Sequence, residues 1–341
     1  MNAAVVVGAA IATLVALMIV GVMAGSVAVD VGTTVRILGH RIFGPRVVTP
    51  DWTRAQDLII ADTRLPRVLL AAVVGAALSL VGTMIQAVVR NPLAGPGILG
   101  VSAGASTGAV VALRYGSVEG WGPAVLPLAA FTGALLAIVT VVGVSRGAGA
   151  MDPVRLVLSG VAISAVLSAV TSLLVLTAPD PSLAGQVLQW TLGGFGGARW
   201  GTLVIPVAAL AVGVILVTPL ARNLNVLLTG DESATALGVN VPRLRVILVI
   251  LSAILTGVMV AVSGVIGFLG LMVPHMSRLL VGGDHRRVLP VALLIGASFA
   301  VGTDMVARTA APPVEIPVGI VTALVGGPYF VWLLRRTGRW S

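Results

Sequence analysis

The sequence predicts an all-helical, polytopic membrane protein with about ten spans in one compact bundle. Composition is the first reason. Hydrophobic residues make up 57% of the 341, charged residues only 10%, and mean hydropathy is +1.09. An average soluble chain carries about 25% charged residues, so this one cannot cover a water-facing surface. The second reason is the recurrence of apolar stretches near the length of about 20 residues that a bilayer-crossing helix needs. They fall near 4–26, 66–88, 98–113, 124–145, 154–177, 201–219, 244–263, 265–281, 288–307 and 316–334. The third is their richness in Ala, Gly and Val, since small residues let helices approach closely in lipid. Length alone would suggest two soluble domains; composition overrides this and makes 1–341 a single membrane domain.

Composition also excludes chemistry. All 21 basic residues are arginine. Without lysine there is no P-loop lysine, hence no standard ATP site, and no Schiff-base chemistry. Without cysteine there is no disulfide, thiolate metal site or cysteine nucleophile. The net charge of +9 is spread over loops and forms no basic stripe, which argues against nucleic acid as a partner. The Ala, Val, Gly and Arg bias suits a GC-rich bacterial genome.

Taken in order, the first span reads as a retained helix. Its apolar run exceeds a secretion signal's, and no Arg precedes Arg36. The arginines orient the bundle. With the N-terminus inside, Arg90, Arg146, Arg222, Arg243, Arg286, Arg287, Arg335, Arg336 and Arg339 face the cytoplasm. The stretch 27–65, with its loop 27–63, then lies outside, and Arg36, Arg41, Arg46, Arg54 and Arg64 strain the rule. Either the orientation is reversed or external arginines are kept for a purpose. Spans two to five and seven to ten form two four-helix sets starting on opposite sides, as an inverted repeat requires.

Five polar segments interrupt this pattern. In Asp62-Thr63-Arg64-Leu65-Pro66-Arg67, Asp62 or Thr63 can cap the second span and Pro66 suits its first turn. Arg64 and Arg67 share a face and can grip a partner's carboxylates or snorkel to lipid phosphates. The run Arg90-Asn91-Pro92-Leu93-Ala94-Gly95-Pro96-Gly97 breaks the helix as a gate or a tight turn. The stretch 220–243 contains Thr229-Gly230-Asp231-Glu232, with capping-box spacing from Thr229 to Glu232, and Gly238 as a stop. It predicts a helix of about two turns, too short to stand alone. The fourth segment carries Pro274, His275 and Arg278, then Asp284-His285-Arg286-Arg287. Three histidines without a ligand spacing make a metal site a poor reading and a structural or interface histidine the better one. In the fifth, Asp304 and Arg308 have i,i+4 spacing for an ion pair, and Glu315 lies near the outer interface.

Together these motifs resemble the iron-siderophore and cobalamin permease family of bacterial ABC importers. Arg64-Leu65-Pro66-Arg67, Asn91-Pro92-Leu93-Ala94, Gly100-Val101-Ser102, Gly230 to Gly238, Pro274-His275 with Arg278, Asp284-His285-Arg286, Asp304 with Arg308, and Glu315 with Pro317 and Gly319 run in family order over about residues 60–335. The resemblance implies a multi-pass subunit in the bacterial plasma membrane, both termini cytoplasmic. It would pair with a second permease copy or a paralogue, two cytoplasmic ATP-binding subunits and an extracytoplasmic binding protein. Arg64, Arg67 and Arg308 would dock the binding protein, and Asn91, Pro92 and Leu93 would lie at a cytoplasmic gate. Gly230, Asp231, Glu232, Ala234, Leu237 and Gly238 would form the coupling helix on the ATPase. The chain itself would catalyse nothing and bind no cofactor; ATP and Mg would sit in the ATPase subunits. A ferric siderophore is the first substrate choice, with haem and cobalamin as alternatives. An ion-coupled secondary transporter is a second class, with Asp304 as its one good intramembrane carboxylate. An intramembrane hydrolase is a third, without a GxSxG motif to support it.

Overall fold

The computed structural model describes residues 2–25, 27, 29–44, 48–116, 122, 124–146 and 152–337, without the side chains of 334, 336 and 337. All regular structure among them is helical: α1 (Ala3–Met23), α2 (Val31–Phe43), α3 (Arg54–Asp57), α4 (Leu65–Val89), α5 (Val101–Tyr115), α6 (Val125–Arg146), α7 (Pro153–Leu176), α8 (Leu183–Thr191), α9 (Trp200–Val217), α10 (Ala221–Leu227), α11 (Asp231–Ala236), α12 (Val241–Ser263), α13 (Leu269–Val281), α14 (His285–Thr309) and α15 (Val318–Thr337). A π-helical segment, Leu58–Arg64, joins α3 to α4.

Each of the ten expected spans contains a helix, but they are not equal. Seven helical stretches are long and apolar enough to cross a membrane, and the chain is a multi-pass membrane protein. The third and eighth expected spans shrink to the 15 residues of α5 and the 13 of α13. At 1.5 Å per residue these reach only about 20 Å, short of a hydrocarbon core of about 30 Å. The cause is local. Pro96–Leu99 forms a 3-10 turn ending at Gly100 with φ +75°. Gly264 and Phe268, both at φ +66°, delay α13 in the same way. The second span is instead longer than expected. Helix runs unbroken from Arg54, so neither Asp62 nor Thr63 caps anything. The 27–63 stretch likewise contains α2, capped by the Asp30 carboxylate on the Thr33 amide at 3.1 Å.

Packing follows a two-fold pattern. α4 packs on α12, α13 and α14; α12 packs on α4, α5 and α6. α5 packs on α6 and α7, and α13 on α14 and α15. Exchanging α4–α7 for α12–α15 preserves every one of these neighbours, as two repeats of one four-helix unit would. The centre is α4, with 20 of its 25 residues buried, against three of 24 in α7. Leu158, Val161, Val166, Leu173 and Leu176 of α7 and Val204, Ile205 and Ile215 of α9 are exposed. Such outward apolar faces suit lipid rather than water. Small residues set the closest approaches. A Cβ on Gly75 would lie 2.2 Å from the Gly296 carbonyl oxygen, and one on Gly82 1.9 Å from that of Gly270.

Candidate functional site

Most of the candidate residues gather at the two ends of α4. At its N-terminal end, Arg67 Nε and Nη2 donate to Asp304 Oδ1 at 3.0 and 2.9 Å, and its Nη1 donates to Glu315 Oε2 at 2.8 Å. Arg308 Nε completes the cluster on Asp304 Oδ2 at 3.0 Å, the ion pair that the i,i+4 spacing predicts. Asp304 is 1% exposed, so burial forces the carboxylate to be shared by two guanidiniums.

The remaining donors cap α1. A helix end leaves carbonyls without partners. Arg308 donates to the carbonyls of Gly21 and Ala24 at 2.9 and 3.0 Å, and Arg64 to those of Val22 and Met23 at 3.2 and 2.7 Å, with a further bond to Val27. Two cations at a helix C-terminus also suit its dipole. Arg64, Arg67 and Arg308 are 4%, 7% and 3% exposed. The carboxylates that Arg67 and Arg308 grip here belong to this chain, and shared-face spacing does not disclose that. Arg64 and Arg67, three residues apart, serve different elements. Asp304 is likewise no free carboxylate of the kind an ion-coupled carrier uses.

At the other end, Arg90 follows α4 with φ +52°. It pairs with Asp231 on α11, and Arg245 of α12 grips the same carboxylate in bidentate fashion at 2.7 and 2.8 Å. Burial alone would raise the Asp231 pKa, but Arg245 and Arg90 outweigh it and hold the carboxyl below its usual 3.8. A depressed folded-state pKa means the clip is intact above that value and is lost only as pH falls through it. α11 is thereby tied to both α4 and α12. Ala234 faces inward, while Glu232 and Leu237 are exposed, Leu237 by 67%. Gly230 and Gly238 bracket the helix at φ +107° and +82°. The expected capping box is absent. Gly230, not Thr229, is the N-cap, and the Thr229 hydroxyl donates to Val226 at the end of α10.

A second clip was not legible in the motifs. Asn225 of α10 donates to Asp284 Oδ1 at 2.7 Å and accepts from the His285 backbone amide at 2.9 Å. It fastens α10 to the start of α14. Only its place in a polar segment hinted at Asn225. Asn91, Pro92 and Leu93 lie beside this end. Asn91 Oδ1 accepts from the Leu93 amide at 2.9 Å and closes the turn, with Asn91 and Pro92 exposed. On α13, His275 stacks edge-on to Tyr329 at 6.3 Å, both side chains half-buried. No group of three or more metal-ligating side chains occurs among the described residues.

The chain is thus a multi-pass bundle of two like four-helix halves, with a short helix clipped to its central helices α4 and α12. The comparisons make this specific. The FecCD transport family model matches residues 13–336, and the chain belongs to that family. It is 45% identical to the hemin transport system permease protein HmuU of Yersinia pestis, over 81% of this chain and 82% of that one. It is 44% identical to the cobalamin import system permease protein BtuC of Halobacterium salinarum, over 82% and 74%. Identity to the Fe(3+) dicitrate transport system permease protein FecD of Escherichia coli is 40%, over 85% and 90%. A solved metal-chelate type ABC transporter in an inward-facing conformation superposes with a TM-score of 0.83 at 30% identity, covering 97% of this chain and 98% of that one. The chain is an ABC importer permease.

Proposed function

We propose that this chain carries a ferric siderophore across a bacterial plasma membrane, driven by ATP hydrolysis in partner subunits. The observation that carries the reading is the family match over 13–336, whose relatives are named for hemin, cobalamin and ferric dicitrate. All three are bulky metal complexes. Charged residues are 10% of the sequence, which suits a weakly binding conduit for such a cargo. The working assembly has a second permease copy or paralogue, two cytoplasmic ATP-binding subunits and an extracytoplasmic binding protein. ATP and Mg belong to the ATP-binding subunits.

α11 rests on those subunits as the coupling helix, with both termini of the chain cytoplasmic. The attachment of Asp231 to Arg90 and Arg245 supports this, since a push on α11 reaches α4 and α12 together. Cysteines placed singly at 232, 235 and 237 are expected to crosslink to the ATPase in an active complex; an active complex without crosslinks rejects the placement. Docking of the binding protein falls at the opposite end. A partner carboxylate there reaches Arg67 by replacing Glu315, whose side chain is 41% exposed. The substrate is tested by uptake of labelled ferric siderophores, haemin, cobalamin and iron(III) dicitrate in cells with and without the gene. Loss of siderophore uptake on deletion is expected; loss of haemin or cobalamin uptake alone replaces the substrate.

A further inference from the structure

Gln86 is 3% exposed in α4, one turn before Arg90. A buried primary amide needs partners for two donors and an oxygen. Gln86 finds them on two elements, the 91–97 break and α13. Its Nε2 donates to the carbonyls of Ala94 at 3.1 Å and Leu271 at 3.0 Å, and lies 3.5 Å from that of Gly270. Its Oε1 accepts from Arg278. The need arises in α13. Pro274 has no N–H, so the Gly270 carbonyl, four residues earlier, lacks its helical donor. The glycine contact between positions 82 and 270 brings α4 near enough for Gln86 to supply one. Among the described residues Arg278 makes no salt bridge; its guanidinium is committed to the amide oxygen.

We infer that Gln86 is a positioning residue that latches the 91–97 break to α13, so that the break opens only when this amide releases the Gly270 and Leu271 carbonyls. The latch also joins the break to the coupling segment. α13 leads through Gly282 to Asp284 and His285, which Asn225 of α10 holds. The inference rests on the permease reading above, and its test separates the two.

The chain has no cysteine, so an introduced pair forms the only disulfide. A Cβ at Gly95 would lie 3.5 Å from that of Leu271, within the disulfide range of about 3.5–4.5 Å. Gly95→Cys with Leu271→Cys, in the reconstituted full complex, is expected to stop uptake when oxidised and restore it with reductant. Wild-type uptake by the crosslinked complex overturns the latch. Gln86→Leu removes the side-chain donor from the Ala94, Gly270 and Leu271 carbonyls and the acceptor from Arg278. Nucleotide-free proteoliposomes carrying it should leak trapped calcein about tenfold faster than wild type, and the oxidised triple variant should not leak. Leak equal to wild type overturns the latch as well. If the reduced complex takes up none of the siderophores, haemin, cobalamin or iron(III) dicitrate, the substrate reading fails, while the calcein leak still decides the latch.

Discussion

Replacing Asp304 by asparagine will lower the stability of the purified subunit by about 3–5 kcal/mol, the usual cost of breaking a buried ion pair by removing one partner. The size follows from geometry. Arg67 and Arg308 approach this carboxylate to 2.9 and 3.0 Å, and it is 1% exposed. An amide keeps the shape and one acceptor but leaves two buried guanidiniums without their anion. Glu315 reaches only Arg67, at 2.8 Å, so it cannot stand in for Arg308. Arg67→Met should cost less, because Asp304 keeps Arg308. Thermal unfolding in detergent, followed by helical circular dichroism, reads both. An Asp304→Asn subunit within about 1 kcal/mol of wild type would show the cluster to be energetically idle.

Gly82→Leu should prevent folding altogether. Even a methyl group at this position would sit 1.9 Å from the Gly270 carbonyl oxygen, and backbone cannot yield as a flexible side chain does. A Cβ at Gly270 would in turn meet the Pro96 ring at 2.6 Å and the Leu78 carbonyl oxygen of α4 at 2.8 Å, so the contact is as tight from the α13 side. α4, α13 and the 3-10 turn are wedged at one point. Overpacking there exceeds the usual penalty of about 1–3 kcal/mol. Gly8→Leu in α1, where nothing lies within 4 Å, is the control and should accumulate normally. Membrane-inserted protein surviving mild detergent extraction measures both variants. A monodisperse Gly82→Leu subunit would contradict the packing.

The helical class and the places of the apolar helices were legible because apolar run length is a one-dimensional signal, although only seven helical stretches are long enough to cross. All ten expected spans contain helix, and the neighbour exchange between α4–α7 and α12–α15 agrees with the expected repeat. The shortening of α5 and α13 was half legible. The prolines and glycines at 92–97 announced a break, but the positive φ of Phe268 had no sequence warning. The arginines were legible as unusual and not as internal. Spacing along one helix cannot say that Arg64 caps α1, 37–42 residues away, or that Arg67 reaches Asp304. Gln86 carried no signal and Asn225 only its place in a polar segment, because their partners are mostly backbone groups or side chains of distant elements. Long-range satisfaction of buried polar groups is a property of the fold.

The central claim is that this bundle moves its cargo on ATP spent by another chain. It is tested most directly in proteoliposomes holding the permease, its ATP-binding subunits and its binding protein, with labelled ferric siderophore as the probe. Uptake should require ATP on the ATPase side and persist when proton and sodium gradients are collapsed. Uptake that follows an imposed ion gradient without ATP would contradict it.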